Sequence, residues 1–236
     1  MKRSKRYREL LTKAKGKETY SLGEAIRMVK ELANARFNES VDVAIKLGSD
    51  PKKQDQMVRG SVLLPYGTGK ETKVLVITKG EKEKEAKEAG ADYVGFEEYL
   101  EKIKSGWLDF DVLVATPDAM PEVSKIGKIL GPKGLMPSPK TGTVTFDVAS
   151  AVKSLKAGKI QFKMDKTGNV HAMIGKVSFE TEKLEKNLLA LISELLRLRP
   201  PSVKGQYIRS CYLSSTMGPS FKLDVKELID LSRKES

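Results

Sequence analysis

Two strand patterns occur in this chain, and one encloses the other. Val41, Val43, Ile45 and Leu47 alternate with Asp42, Ala44 and Lys46, the period of a strand that buries one face. Val74-Leu75-Val76-Ile77 is instead a continuous apolar run, typical of a strand buried on both faces. The alternating pattern returns at Ile160, Phe162 and Met164. A half-buried sheet at both ends of the sequence, with a fully buried one between them, points to one domain inserted into another.

Charge divides at the same places. Residues 68–158 hold 14 Lys, no Arg and 14 Asp plus Glu, whereas the 236-residue chain holds 43 Lys plus Arg and 31 Asp plus Glu. The flanks are left with 29 basic and 17 acidic residues, which is the entire net charge of +12. All ten arginines are in the flanks, and arginine is the side chain best suited to bidentate phosphate contact and base stacking. The flanks therefore read as a polyanion-binding body.

Several classes are disfavoured. No apolar run approaches the roughly 20 residues of a membrane span. The basic start, Met1 to Arg8, is not followed by an apolar core, so no secretory leader is expected. Cys211 is the lone cysteine; it allows no internal disulfide and suits a reducing, cytoplasmic setting.

In the first flank, residues 1–17 are polycationic and read as an arm or short helix. Ser21 followed by Glu24 is a capping-box pattern, and Ala25, Ile26, Val29 and Leu32 follow helical spacing. Val62-Leu63-Leu64 reads as a second strand, stopped by Pro65. In the middle, strands at 73–78, 93–94 and 111–115 alternate with helices at 81–89 and 97–104, and a helix at 149–156 closes the segment. That order implies right-handed crossovers and a parallel sheet. In the last flank, 160–164 and 170–174 read as a β-hairpin around Asp165-Lys166-Thr167-Gly168-Asn169. Residues 182–198 read as an amphipathic helix and 206–213 as the final strand. Residues 222–236 are assigned only a helix.

The expected fold is thus a discontinuous α+β base domain, a helix-backed antiparallel sheet, over 1–67 and 159–236. An inserted α/β three-layer, Rossmann-like domain covers 68–158. Glycines at both crossings, in Tyr66-Gly67-Thr68-Gly69 and Ala157-Gly158, serve equally a hinge or two plain turns between rigidly packed domains.

The residues do not assemble a catalytic centre, and the chain is expected not to be an enzyme. His171 is the one histidine, and Cys211 has no further ligands for a metal site; no metal or cofactor is expected. Gly67-Thr68-Gly69-Lys70 fails as a phosphate loop, with Leu64 at the first glycine position and Glu71 where Ser or Thr belongs. Thr78-Lys79-Gly80-Glu81 is not a dinucleotide fingerprint. A rival enzyme reading would need a constellation at the strand ends near 78–80 and 116–118, where Asp118 is the only obvious acid.

Three segments have binding chemistry. Residues 127–144 are rich in Gly and Pro and carry Lys128, Lys133 and Lys140 with no acid; such a loop fits transient phosphate contact, and a solvated crossover loop is the slightly commoner case. Arg36 beside Phe37 offers a phosphate fork and a stacking ring, although a phenylalanine that caps the core is commoner. Ser214-Ser215-Thr216-Met217-Gly218 offers hydroxyls and open backbone that suit ribose 2′-OH groups; an ordinary turn would look the same.

Gly131-Pro132-Lys133-Gly134-Leu135-Met136-Pro137, Gly142-Thr143-Val144 and Thr216-Met217-Gly218-Pro219 resemble the ribosomal protein L-one family of bacterial type, which forms the mobile side stalk of the large subunit. Lys5-Arg6-Tyr7, Asp50-Pro51, Val58-Arg59-Gly60, Ala89-Gly90-Ala91-Asp92, Val114-Ala115-Thr116-Pro117-Asp118 and Asp165-Lys166-Thr167-Gly168 extend the likeness over nearly the whole chain. The resemblance implies a monomer that binds large-subunit ribosomal RNA, assists movement and release of deacylated tRNA at the exit site, and represses its own messenger by binding its leader. It implies RNA contacts at Arg36, Phe37 and Ser40, at Lys163, Asp165, Lys166, Thr167 and Gly168, at Ser178, and at Thr216, Met217 and Gly218. It also implies a tRNA-facing loop carrying Lys128, Gly131, Lys133, Gly134 and Lys140.

Overall fold

The computed structural model describes residues 4–14, 16–80 and 82–235. Parts of two expectations, the arm at 1–17 and the helix start at Glu81, lie outside these residues. The chain falls into two compact units, Met1–Gly69 with Ile160–Ser236, and Lys70–Lys159.

The first unit begins with helices α1 (Lys5–Ala14) and α2 (Leu22–Leu32) and strands β1 (Ser40–Leu47) and β2 (Arg59–Leu63). The second unit contains β3 (Val74–Ile77), α3 (Lys82–Glu88), β4 (Tyr93–Gly95), α4 (Glu97–Lys104), β5 (Val112–Ala115), α5 (Met120–Lys125), α6 (Gly127–Leu130) and α7 (Val148–Lys156). The chain then returns through β6 (Lys159–Lys163), β7 (Asn169–Lys176), α8 (Thr181–Arg197), β8 (Ile208–Ser215), β9 (Ser220–Leu223) and α9 (Val225–Glu235).

In the first unit the main sheet has the order β7-β1-β8-β9, antiparallel throughout. Alternation decides its two faces. Val41, Val43, Ile45 and Leu47 are buried in one core with Ile26 and Val29 of α2, Leu188, Leu191, Ile192 and Leu195 of α8, and Leu228 of α9. Truncating a leucine of that core to alanine typically costs about 2–5 kcal/mol. Ser40, Asp42, Ala44 and Lys46 are only half-buried, on the opposite face.

In the second unit the order is β4-β3-β5, all parallel, and Val144 adds a parallel bridge to Ala115. Leu75 and Ile77 pack with Leu100, Ile103, Val123 and Leu130 on one side. Val74 and Val76 pack with Ala86, Val148, Val152 and Leu155 on the other. The continuous apolar run is continuous because both faces of β3 are covered by helices.

Four expectations require correction. The hairpin at 160–174 is a corner: β6 pairs with β2 while β7 joins the four-stranded sheet, and beyond the turn itself the ladder between the two arms, among the described residues, is the isolated Met164–Val170 bridge. Alternation identifies a strand but not its partner. β8 is not the last strand, because Phe221 and Leu223 are buried in β9; four residues of alternation are too short a signal beside a charged tail. The stretch at 127–144 opens with a helical turn, α6, because Ile126 and Leu130 bury against the sheet. The Ser21 hydroxyl makes no capping bond. Glu24 is drawn mainly to the Lys17 ammonium, at 2.8 and 3.0 Å, with only a minor contribution from Ser21.

Candidate nucleic-acid interface

Seven of the residues singled out from the sequence meet at one end of the four-stranded sheet. Arg36 and Phe37 lie on the loop before β1, Ser40 starts β1, Ser178 lies on the turn after β7, and Thr216, Met217 and Gly218 follow β8. Backbone bonding closes this end. The Ser40 N–H donates to the Thr216 hydroxyl at 2.9 Å, and the Thr216 N–H donates to the Ser40 carbonyl at 3.0 Å. Ser178 is fixed by Asn38, whose Nδ2 donates to its hydroxyl at 2.9 Å. Lys176 donates to the Ser40 hydroxyl at 2.9 Å.

The organiser of this end is Glu39, which sequence reasoning gave no role. It is buried, with 2% of its surface exposed. One carboxylate oxygen accepts the Ala35 N–H at 3.0 Å. The other accepts the Ser215 hydroxyl at 2.7 Å and the Met217 N–H at 2.9 Å. Burial pushes this carboxyl up; the Ser215, Met217 and Ala35 bonds and the nearby Arg6 more than offset it, so it titrates below the usual range. Glu39 is in phase with Val41 and Val43, so the alternation of β1 already placed it on the buried side.

Arg6 of α1 adds a second tie, donating to the Asn34 side chain at 2.6 Å and the Met217 carbonyl at 2.8 Å. Gly218 must be small. A Cβ there would stand 2.5 Å from the Ser215 hydroxyl oxygen that bonds Glu39. The result is a rigid frame that presents two large apolar side chains to solvent, Phe37 at 55% and Met217 at 47% exposure.

The second group, Lys163 to Gly168, does not join the first. Asn169 begins β7 opposite Lys46, near the far end of β1, which places the 165–168 turn roughly 20 Å from Ser40 at about 3.4 Å per strand residue. Within that turn Asp165 faces inward. It accepts the N–H of Thr167 at 2.8 Å and of Asn169 at 2.7 Å, and the Thr167 hydroxyl at 2.8 Å. These bonds, led by that of Asn169, hold its carboxyl far below the usual range. Gly168 is buried at φ +81°, a left-handed conformation that favours glycine. Lys163, Lys166 and Thr167 are exposed.

The open sheet face joins the two ends. Cross-strand pairing aligns His171 and Tyr212 with Ala44, Lys176 with Ser40, and Lys222 with Tyr212. His171 and Tyr212 are exposed. Lys46 lies on the same face, anchored to the Thr167 carbonyl. Asp42 is the acid there; burial raises its pKa, against the pull of Lys176. An aromatic ring among lysines and hydroxyls on an uncovered sheet is suited to stacking a base and meeting phosphates. Tyr212 was legible too, lying between the inward-facing Cys211 and Leu213.

A family model described as the Ribosomal protein L1p/L10e family matches residues 29–219. The chain belongs to that family. It is 56% identical over 225 residues to the large ribosomal subunit protein uL1 of Chlorobium chlorochromatii (strain CaD3), covering 95% of this chain and 98% of the relative. It is 56% identical over 219 residues to that of Chlorobaculum tepidum, covering 93% and 95%. The family match includes the loop before β1, the 165–168 turn and the 216–218 turn, so the resemblance read from the sequence motifs is correct.

In this L1p/L10e chain the lysine-bearing stretch of the second unit has its own frame. Thr141 and Thr143 are buried, with their hydroxyls 3.0 Å apart. Thr143 accepts the Ser138 N–H at 2.9 Å. Lys128, Gly131, Lys133, Gly134 and Lys140 are all exposed, and the three lysines make no ion pair among the described residues. No helix among the described residues is long and apolar enough to cross a membrane.

Proposed function

We propose that this chain is a cytoplasmic, structural component of the large ribosomal subunit that binds large-subunit ribosomal RNA through its first unit. The two named relatives are large ribosomal subunit proteins. The observation that carries the reading is the Glu39 frame. One buried carboxylate pins two loops so that Phe37 and Met217 stand about half exposed beside hydroxyls, where the protein's own packing uses only part of them. The Thr216–Gly218 turn and Ser178 meet ribose and phosphate, Phe37 stacks on a base, and the open face with Tyr212, Lys46 and Lys176 extends the contact towards Lys163, Lys166 and Thr167. In this reading Asp165 and Gly168 shape their turn so that its exposed neighbours reach the RNA.

The second unit, with Lys128, Lys133 and Lys140 on an exposed stretch around Gly131 and Gly134, contacts exit-site tRNA and assists its movement and release. The same RNA surface binds the leader of the protein's own messenger and represses it, and the free protein is a monomer. Neither role needs a cofactor or a catalytic group.

Phe37→Ala tests the RNA surface. Base–aromatic stacking is worth roughly 1–3 kcal/mol, so affinity for a stalk rRNA fragment should fall by about tenfold or more. Thermal stability should hold, because the ring is mostly solvated. Unchanged affinity would remove this site from the interface.

A further inference from the structure

On the helical side of the first unit, away from the open sheet face, lies a groove of about 850 Å³. The ribosomal reading leaves it unused. Ser61, Val62 and Leu63 of β2 line it together with Arg197 at the end of α8, Arg199 just after it and Arg233 of α9. Three consecutive strand residues line the groove although their side chains alternate between faces, so the groove runs along the edge of β2. Among the described residues that strand pairs with β6 alone, in a two-stranded sheet. Its other edge therefore offers strand donors and acceptors to an incoming chain. Leu63 beside it is 51% exposed.

The charge of the groove is fixed by contacts that hold guanidinium groups in place. Arg197 is neutralised by a two-bond pair with Glu194, at 2.8 and 2.7 Å. Arg199 donates to the carbonyls of Val203 at 2.9 Å and Gly205 at 3.0 Å and lies over the Tyr207 ring at 5.8 Å. Those contacts orient Arg199 without cancelling its charge. Arg233 is exposed. The groove thus combines an open strand edge, an exposed leucine and an excess of positive charge. A ribose-phosphate strand has no use for the first two. An extended peptide uses all three.

We propose that this groove binds an extended acidic peptide segment of a partner protein, which adds to β2 as a third strand. An apolar side chain of the peptide rests on Leu63, and its carboxylates meet Arg199 and Arg233.

The test uses the full-length protein and a fluorescein-labelled decapeptide of alternating Glu and Val, followed by fluorescence anisotropy. The expected result is binding at least tenfold tighter than that of a Lys/Val decapeptide, with slowed amide exchange at 61–63. Arg233→Glu and Leu63→Glu should each weaken it tenfold or more, Arg233→Lys should retain most of it, and Phe37→Ala should leave it unchanged. Both substituted side chains are exposed, so the thermal midpoint should stay put and separate lost binding from lost folding. Equal binding of the two peptides would overturn the proposal. So would displacement of the Glu/Val peptide by a ten-nucleotide single-stranded RNA whose own binding is lost in Arg233→Glu, which would assign the groove to phosphate.

Discussion

The buried carboxylate of Glu39 accepts the backbone N–H of Met217 at 2.9 Å across 178 positions of sequence. This bond, with those from Ser215 and Ala35, makes one rigid element of two loops. Losing a charged acceptor inside such a set costs about 1.5–3 kcal/mol. Glu39→Gln should therefore lower stability by that order and weaken RNA binding, because the amide cannot accept three donors. The folded pKa of Glu39 lies below its ordinary value of 4.5. Its contribution is thus fully present above about pH 4.5 and is lost as pH falls through the depressed value. Denaturant titrations should show the wild-type and Glu39→Gln stabilities converging on acidification. A gap that stays constant down to pH 3 would contradict the role.

Thr216→Val removes the hydroxyl that accepts the Ser40 N–H. The loss is partly structural, about 0.5–1.5 kcal/mol for one hydrogen bond. RNA affinity should drop several-fold, and Thr216→Ser should restore both stability and binding. If Thr216→Val binds normally at temperatures where it is folded, the hydroxyl does not face RNA.

Gly218→Ala drives a Cβ against the Ser215 hydroxyl. Displacing that hydroxyl breaks its bond to Glu39, so the variant should lose about 1–3 kcal/mol and bind RNA more weakly, with Gly218→Ser worse still. Equilibrium unfolding alongside filter binding reads both effects.

Burial pushes the Cys211 thiol up to about 12, and the residue is fully covered. A thiol reagent at pH 8 should label the native protein at the rate of global unfolding and the denatured protein within minutes. Rapid native labelling would mean that the sheet opens locally at β8.

Most strands and helices of both units were legible because their periods are unambiguous, whereas the short elements α5, α6 and β9 were not. β3 reads as doubly covered from four apolar residues in a row, and β1 as half-covered from strict alternation. Partners were not legible. Nothing in Phe162 or Val170 says that β6 and β7 part at Met164, and β9 has only Phe221 and Leu223 to declare it. The interface was visible in its exposed chemistry, at Phe37, Thr216 and Met217. Its frame was hidden, since Glu39, Asn38 and Arg6 act through partners 140–211 positions away. Asp165, an acid in a basic stretch, acts within its own turn, a use that local sequence could have suggested.

The division of labour between the units is tested by removing the insert. A chain lacking residues 70–159, rejoined by a short Gly/Ser linker, should keep specific rRNA binding within a few-fold. Lys133→Glu with Lys140→Glu in the full chain should weaken tRNA contact and leave rRNA binding alone. Loss of rRNA binding in a folded deletion chain would contradict the assignment.

The most direct measurement is filter binding of the purified protein to a large-subunit stalk rRNA fragment and to an unrelated duplex of equal length across a salt series. A preformed surface that reads ribose and shape should bind the stalk fragment selectively and hold it into high salt. Equal binding to both RNAs, collapsing together as salt rises, would reduce the interaction to the +12 charge of the chain and contradict the account.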